Sequence, residues 1–443
     1  MKGPAKRFAL RLIARHPVYR ALPPGGLRTY AALKYHGQRE PADLASYLRS
    51  RRSLPSRWLP TAILAAKAAF RAGQDDLLAE ALDRLEQRHP DAAPVHVLRA
   101  DLHTFHGHYE DALRCAEQAR RLRSNLAEPV ARVVKLGYRV LPQPEADQIA
   151  LNAIAEFPLD HAVLWQVATA CTTATQYERV QAVWDQRVRR PVALLRAVRQ
   201  LAVAAARAGE IEASVELYRR AIATLRDSRQ RPGAARTRLA GLGAHVAIDD
   251  LTRALDGAGV PFFLAAGTVL GLVREGQPLG GDGDIDVGVF ADDWDRDALI
   301  DLFRRDPQFD LDLHPQSTKI GLRHRGGAPI DIFRFYGEGD RIWHDGVFVR
   351  WHNAPFDVIR RDFGALNVPV PEDADRYLTD NYGDWRTPDP SFDAFLDAPN
   401  LDITWPAYHR SHLLRRAYEL MADGDVGGAE SMFRRADHSQ IST

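Results

Sequence analysis

Apolar positions along the first half of the chain recur with the spacing of amphipathic helices, and the pattern repeats every 34 residues. Stepping by 34 from Gly107 lands on Gly73 in one direction and on Leu141, Thr175 and Gly209 in the other. Each position marks a break between two helical runs: RAGQDD, FHGHYED, VLPQPEA, ATQYERV and RAGEIEA. Seven residues before the break stand Ala66, Ala100, Val134, Ala168 and Ala202; five after it stand Leu78, Ala112, Ala146, Val180 and Ser214. Small or β-branched residues in such columns let two helices approach closely, and a hairpin so built buries its apolar face only by stacking on the next one. About five stacked hairpins are therefore expected over residues 55–226, the middle one degenerate.

This register resembles that of tetratricopeptide repeats. The resemblance implies a concave groove that holds an extended ligand or a protein partner; an array that only shapes or dimerises the molecule is the other reading. RDSRQRPGAARTR, charged and without apolar period, then reads as a joint, with the linker at 227–236. Beyond it the texture changes. An amphipathic stretch, LAGLGAHVAIDDLTRALDGAG, runs into the apolar VPFFLAAGT, and short strand-like segments follow at DIDVGVF, KIGLRHR, IDIFRFY and RIWHDGVFVRW, with helices near 291–305 and 372–382. An α/β (α+β) domain with a small mixed sheet is expected over 237–405. A helical segment at 1–54 precedes the array. A last hairpin at 406–443 follows the domain, with Gly424 in its turn and Ala417 and Ala429 in the two columns.

Charge and composition narrow the classes. Lys and Arg number 59 against 58 Asp and Glu, so no overall field draws the chain to nucleic acid or to an anionic membrane. Two cysteines, Cys115 and Cys171, exclude a disulfide framework and a four-cysteine zinc site. No apolar run is long enough to span a bilayer, and the N-terminus lacks the uninterrupted apolar core of a signal peptide. Residues 5–15 could form a short basic helix, read as solvated rather than membrane-bound. The expectation is a cytoplasmic protein, peripheral at most to the inner membrane face. The run H-x-x-H-x-H at His103, His106 and His108 has ligand chemistry, but His108 falls in the turn beyond the helix carrying His103, so the three are read as solvated repeat surface.

GGDGDIDVGVF, Gly280 to Phe290, holds the densest chemistry. In an extended strand Asp284 and Asp286 share one face while Ile285 and Val287 take the other. Two anions aimed at one place call for a cation between them, and a divalent metal is the economical one. A calcium loop of the EF-hand type fails, because its sixth and twelfth positions hold Val287 and Asp293 rather than glycine and glutamate. The glycine-rich calcium nonapeptide fails too, since Ile285 stands at its aspartate position. Upstream, Gly267-Thr268 closes a strand and opens a helical turn, an order similar to the nucleotidyltransferase superfamily. There a Gly-Thr or Gly-Ser turn holds phosphate on backbone N–H groups. PIDIFRFY offers a third carboxylate, Asp331, between Ile330 and Ile332.

The match sharpens to one family. AAGTVLGLVREGQPLGGDGDIDVGVF resembles the signature of the LicD/fukutin phosphotransferases, and VPVPEDADRYLTDNYGDWRTP is similar to that family's second block, which ends in Tyr-Gly-x-Trp-x-x-Pro. The resemblance covers about 165 residues and none of the repeats. It implies a nucleotidyltransferase fold and transfer of a phospho-alcohol, such as phosphocholine or an alditol phosphate, from a CDP-linked donor onto a sugar hydroxyl of a cell-surface glycan or glycolipid, with Mg²⁺ or Mn²⁺. It implies Asp284 and Asp286 as metal ligands, Asp331 as third ligand or base, Gly267 and Thr268 at the donor phosphate, and Arg274 beside the phosphoryl oxygens. Lys319 is either a further phosphate contact or an ordinary edge-strand lysine.

Departures from the family pattern are plain. Glu275 stands where histidine is usual, Gly283 replaces the middle aspartate, and Gly280-Gly281 replaces Pro-Trp. By strand alternation position 283 is expected to face the core, so that no ligand is lost there, and Asp282 is set aside as a bystander. Tyr382, Asp384 and Trp385 are read as a lid or a packed aromatic corner, the latter for Trp385. His344 and Asp345 are read as turn chemistry. A nucleotidyltransferase adding NMP to a sugar phosphate, protein or RNA, and a non-enzymatic repeat scaffold with a degenerate domain, are the rival readings.

Overall fold

In the computed structural model, residues 26–36, 48, 54–55, 57–227, 243–280, 282–313 and 318–438 are described. The expected basic helix over 5–15 and residues 228–236 of the expected linker lie outside them. A helix α1, Gly26–His36, precedes ten helices arranged as hairpins: α2 Leu59–Arg71 with α3 Asp75–Arg88, α4 Ala93–Phe105 with α5 Tyr109–Leu122, α6 Ala127–Val140 with α7 Gln143–Glu156, α8 His161–Ala170 with α9 Ala174–Arg187, and α10 Pro191–Arg207 with α11 Ile211–Asp227. The 34-residue columns are what these helices bury. Ala66, Ala100, Val134, Ala168 and Ala202 are at most 2% exposed, and Leu78, Ala112, Ala146, Val180 and Ser214 at most 5%. Three turns use a glycine at positive φ, Gly73, Gly107 and Gly209, whereas Leu141 turns its hairpin in an extended conformation.

The second half opens with α12, Ala244–Gly257, and then builds a mixed sheet from β1 Phe263–Leu264, β2 Ile285–Phe290, β3 Phe309–Leu311, β4 Lys319–His324, β5 Pro329–Glu338, β6 Arg341–Asp345, β7 Val349–Asn353 and β10 Leu401–Ile403. Its main order is β1-β2-β5-β6-β7-β10, with β4 also pairing β5 and β3 pairing β4. Only β2 and β5 run parallel. A separate hairpin, β8 Val358–Phe363 with β9 Leu366–Pro371, and helices α13 Ala266–Glu275, α14 Arg296–Arg305 and α15 Ala374–Tyr382 complete the domain. Ile285, Val287, Ile330 and Ile332 are fully buried, which is the alternation expected of strands with one face in the core. The helical region followed by a mixed-sheet domain agrees with the expected fold class.

The last hairpin, α16 Pro406–Asp423 with α17 Val426–His438, stacks on α11. Ser411 and Ser214 are hydrogen-bonded at 2.7 Å in the buried seam, and the Tyr418 hydroxyl donates to the Leu195 carbonyl at 2.6 Å. Leu413, Leu414, Ala417 and Met421 join the same apolar core as Tyr218, Ala221 and Ile222. The hairpin therefore continues the array, and the sheet domain is inserted between its fifth hairpin and its last. Contact with the domain is kept as well: Tyr408 stacks on Phe348 at 4.9 Å, and His412 lies 3.2 Å from Asp393.

The array also grips the domain from its front end. Arg325, whose side chain is wholly buried, makes two hydrogen bonds to Asp75 at 3.1 and 2.5 Å and covers the Phe70 ring. Asp310 on β3 is 3% exposed at its side chain and is held by Lys135 and Arg139 of α6, the latter at 2.8 Å. Two buried ion-paired contacts thus join repeats and sheet.

Candidate active site

Strands β2 and β5 lie side by side with Asp286 opposite Asp331 in register. Because the pair is parallel, equal positions on the two strands present side chains to the same face. Asp284 precedes β2 by one residue, so three of the sequence-predicted carboxylates meet at one end of the central strands. Their electrostatics show it. Burial, then Asp331 and Asp282, push Asp284 up to about 7. Burial and the repulsion of Asp284, Asp282 and Asp331 raise Asp286 well above the usual carboxylate range. Asp331 is raised by burial, partly relieved by Lys319, whose ammonium donates to its Oδ2 at 2.5 Å. Lys319 is the cation felt by Asp284, Asp286 and Asp331 alike, so β4 delivers it into the site rather than to a solvated edge.

The Gly-Thr turn is the first turn of α13 rather than the end of the strand. Its entry is strained: Ala266 has φ 42°, the one non-glycine residue at positive φ among the described residues. The Ala266 N–H donates to the Tyr377 hydroxyl at 3.0 Å and the Thr268 N–H to the Ala265 carbonyl at 3.1 Å. That leaves the Gly267 N–H as the first-turn donor without a partner among the described residues. Thr268 has a different task from the one expected. It is 2% exposed, and its hydroxyl accepts the Asp286 N–H at 2.8 Å, so it fixes the aspartate-bearing strand to the turn. Thr268→Val leaves a buried N–H unmet, about 1–3 kcal/mol. For the phosphotransfer that the family resemblance implies, turnover is expected to fall roughly ten- to a hundredfold with little change in donor KM, whereas Thr268→Ser retains activity; a raised KM alone would mark a phosphate contact instead.

Asp282 was set aside on sequence, but the structure brings it to the cluster. Its Oδ2 lies 2.5 Å from where a Cβ on Gly267 would stand, which is why that position has no side chain. Oδ1 accepts the Gly283 N–H at 2.9 Å, and Oδ2 is buried with no partner among the described residues. Position 283 does not face the core, contrary to the alternation argument. The strand begins only at Ile285, and a Cβ on Gly283 would meet nothing within 4 Å.

The Arg274 guanidinium donates to the Trp385 carbonyl and to Glu275, both at 3.1 Å, and so links the two sequence blocks. Trp385 is 8% exposed and packed in the domain core, a corner rather than a lid. Tyr382 is nearer the chemistry: burial and then the charge of Asp286 hold its phenol well above its usual range. His344 is buried between Phe335 and Trp351, with burial pushing it down to about 3, and Asp345 accepts from Arg350 at 3.0 Å.

The residues suit a cation. Four carboxylates, one with a buried unpartnered oxygen, face a single ammonium, and a divalent ion supplies the missing positive charge. The oxygens of Asp284, Asp286 and Asp331 are not drawn within 4.8 Å of one another as ligand atoms of a closed site would be. Mutual repulsion and the pull of Lys319 on Asp331 account for that spread.

Comparison with known families addresses the same segment. Residues 259–373 match the model described as LicD/FKTN/FKRP, nucleotidyltransferase domain. The chain carries a LicD/FKTN/FKRP domain. The LicD match contains the Gly267-Thr268 turn, Asp284, Asp286, Lys319 and Asp331, and stops before the Tyr382–Pro388 block. Among curated proteins, a mouse (Mus musculus) relative named ribitol-5-phosphate transferase FKTN is 27% identical over 169 residues, 35% of this chain and 36% of the relative. The human (Homo sapiens) protein of the same name is 26% identical over 167 residues, with the same shares. The similarity therefore spans about a third of the length of these relatives. Within the described residues no helix of the LicD domain or the array is long and apolar enough to cross a membrane.

Proposed function

We propose that the LicD domain is a metal-dependent phosphotransferase that moves a phospho-alcohol, phosphocholine or an alditol phosphate, from a CDP-linked donor onto a sugar hydroxyl of a cell-surface glycan. The observation that carries the reading is the Asp286–Asp331 register pair on parallel strands, with Asp284 beside it and the Gly267 N–H across the turn. The activity in the relatives' names, ribitol-5-phosphate transfer, supports the class of group transferred.

Asp284, Asp286 and Asp331 would hold Mg²⁺ or Mn²⁺, with Asp282 alongside; when bound, the metal neutralises charge on the transferred phosphoryl group. The chain's own groups do the rest. The acceptor oxygen forms a bond to the phosphorus that carries the alcohol, the bond from that phosphorus to the bridging oxygen breaks, and CMP leaves with the electron pair. The acceptor proton passes to a carboxylate. Asp331, on the neighbouring strand, is the carboxylate proposed to take it where it is not itself a ligand. Lys319 and the Gly267 N–H bind phosphate oxygens. Helix α15 carries Tyr377 and Tyr382 toward the carboxylates.

The test is a panel of CDP-ribitol, CDP-glycerol and CDP-choline with Mg²⁺ or Mn²⁺, following CMP release by wild type and Asp284→Ala. Metal-dependent release by the wild type alone is expected. Pyrophosphate release from CTP with a sugar phosphate would instead favour NMP transfer, and no turnover of any donor would remove the proposal.

A further inference from the structure

We propose that the second repeat hairpin carries a zinc site formed by His103, His108 and Asp111, separate from the carboxylates of the LicD domain. The histidine run looked divergent on sequence because His108 follows the end of the helix that bears His103. The turn reverses that. Helix α4 ends at Phe105, Gly107 takes φ 72°, and His108 is already the residue capping α5. So tight a reversal, open to glycine and strained for other residues, lays His108 back over the last turn of α4. The His103 and His108 ring centres are 6.0 Å apart, and Asp111 comes up from the first turn of α5. One ligand atom from each of the three lies within 4.8 Å of the others, the one such convergence among the described residues.

The ligand set is two imidazole nitrogens and a carboxylate oxygen, which zinc takes at about 2.0–2.2 Å with a fourth position open to water. Small side-chain rotations close the remaining distance. His106 is not a ligand: its Nε2 is 2.9 Å from Asp75. Cys115 lines the same cavity of about 410 Å³, but burial raises its thiol and it stays protonated. The rival for Asp111 is Arg114, in a pair whose side chains are 70% and 42% exposed. Such exposed pairs are weak, so zinc displaces it.

The position gives the metal a use. Gly107 lies against the Arg304 carbonyl of the LicD domain, and His106 shares Asp75 with the buried Arg325. Zinc across the α4–α5 turn would staple the hairpin face on which the LicD domain rests.

The experiment is calorimetric titration of the chelator-stripped full chain with Zn²⁺ in millimolar Mg²⁺, with Co²⁺ absorption as a second readout. One equivalent binding at micromolar affinity or tighter is expected, with the intense visible bands of four-coordinate cobalt and a higher Tm. His103→Ala and His108→Ala should each weaken binding on the order of a hundredfold, while His106→Gln and Asp286→Asn leave it unchanged. Far-ultraviolet circular dichroism checks that the exposed substitutions leave the fold intact. Absence of binding at tens of micromolar Zn²⁺, or equal binding by the His103→Ala/His108→Ala double variant, would overturn the proposal.

Discussion

Asp286→Asn is expected to abolish turnover while raising the melting temperature of the metal-free protein. The two effects have one cause. In the folded state Asp286 is buried among Asp284, Asp282 and Asp331 with Lys319 as the shared cation, and its carboxylate is held far above the usual range. The amide keeps the shape and removes the charge, so repulsion falls and the metal-free fold gains. The same change removes an anion from the proposed metal site, which on that reading costs several kcal/mol of charge stabilisation in the reaction, on the order of 10³-fold or more in rate. Differential scanning calorimetry in chelator, beside CMP release in metal, reads both.

The pH dependence has a defined sign. Asp284 titrates near 7 when folded and near 3.8 when unfolded, so the folded state binds the extra proton between those values. Stability of the metal-free protein should be greatest below about 4 as far as this group is concerned, and should decline as pH rises through 7. Asp331→Asn flattens that decline, because Asp331 is the anion that raises Asp284 most. A Tm for Asp286→Asn below that of wild type throughout this range would contradict the picture of an anion cluster waiting for a cation.

The second large effect lies outside the candidate active site. Asp310→Ala removes the buried carboxylate that Lys135 and Arg139 hold between repeat and sheet, and leaves two cations facing a desolvated gap. Breaking one partner of a buried pair costs about 3–5 kcal/mol. Burial alone would raise Asp310, but the two cations outweigh it and keep its carboxyl below the ordinary value. Its contribution is therefore present above pH 3.8 and lost as pH falls further. We expect calorimetry of Asp310→Ala to resolve separate transitions for array and LicD domain where wild type shows one, and Lys135→Met/Asp310→Leu/Arg139→Met to recover most of the stability. A single unshifted transition would show that the contact contributes little.

Much of this was legible in sequence for physical reasons. The helix period and the two small-residue columns are local facts, and Ala100 and Ala112 are buried as their spacing required. That Asp284 and Asp286 share a face was legible from strand alternation, whereas the parallel register that sets Asp331 opposite Asp286 was not. What escaped depends on partners far along the chain. Tyr377 reaches Ala266 across 111 residues, and nothing near Tyr377 says so. Short strands such as β3 and β10 have three residues each, too few to show a period. Gly283 was misplaced because alternation was carried two residues beyond the start of the strand. Arg274 and Thr268 have the expected residue types, but the bonds they make, to the Trp385 carbonyl and from the Asp286 N–H, also lie with partners distant in sequence.

The insertion of the LicD domain ahead of the last hairpin sets an order of events during biosynthesis. Helix α11 ends at Asp227, and the helix that covers its face begins only at Pro406. At about 5–20 residues per second, a ribosome needs on the order of ten to forty seconds to make the intervening segment. Throughout that interval Tyr218, Ala221 and Ile222 lack Leu414, Tyr418 and Met421 above them. The nascent array carries an open apolar end until α16 has been made, and a message truncated after the LicD domain would yield a product that chaperones retain and proteases clear.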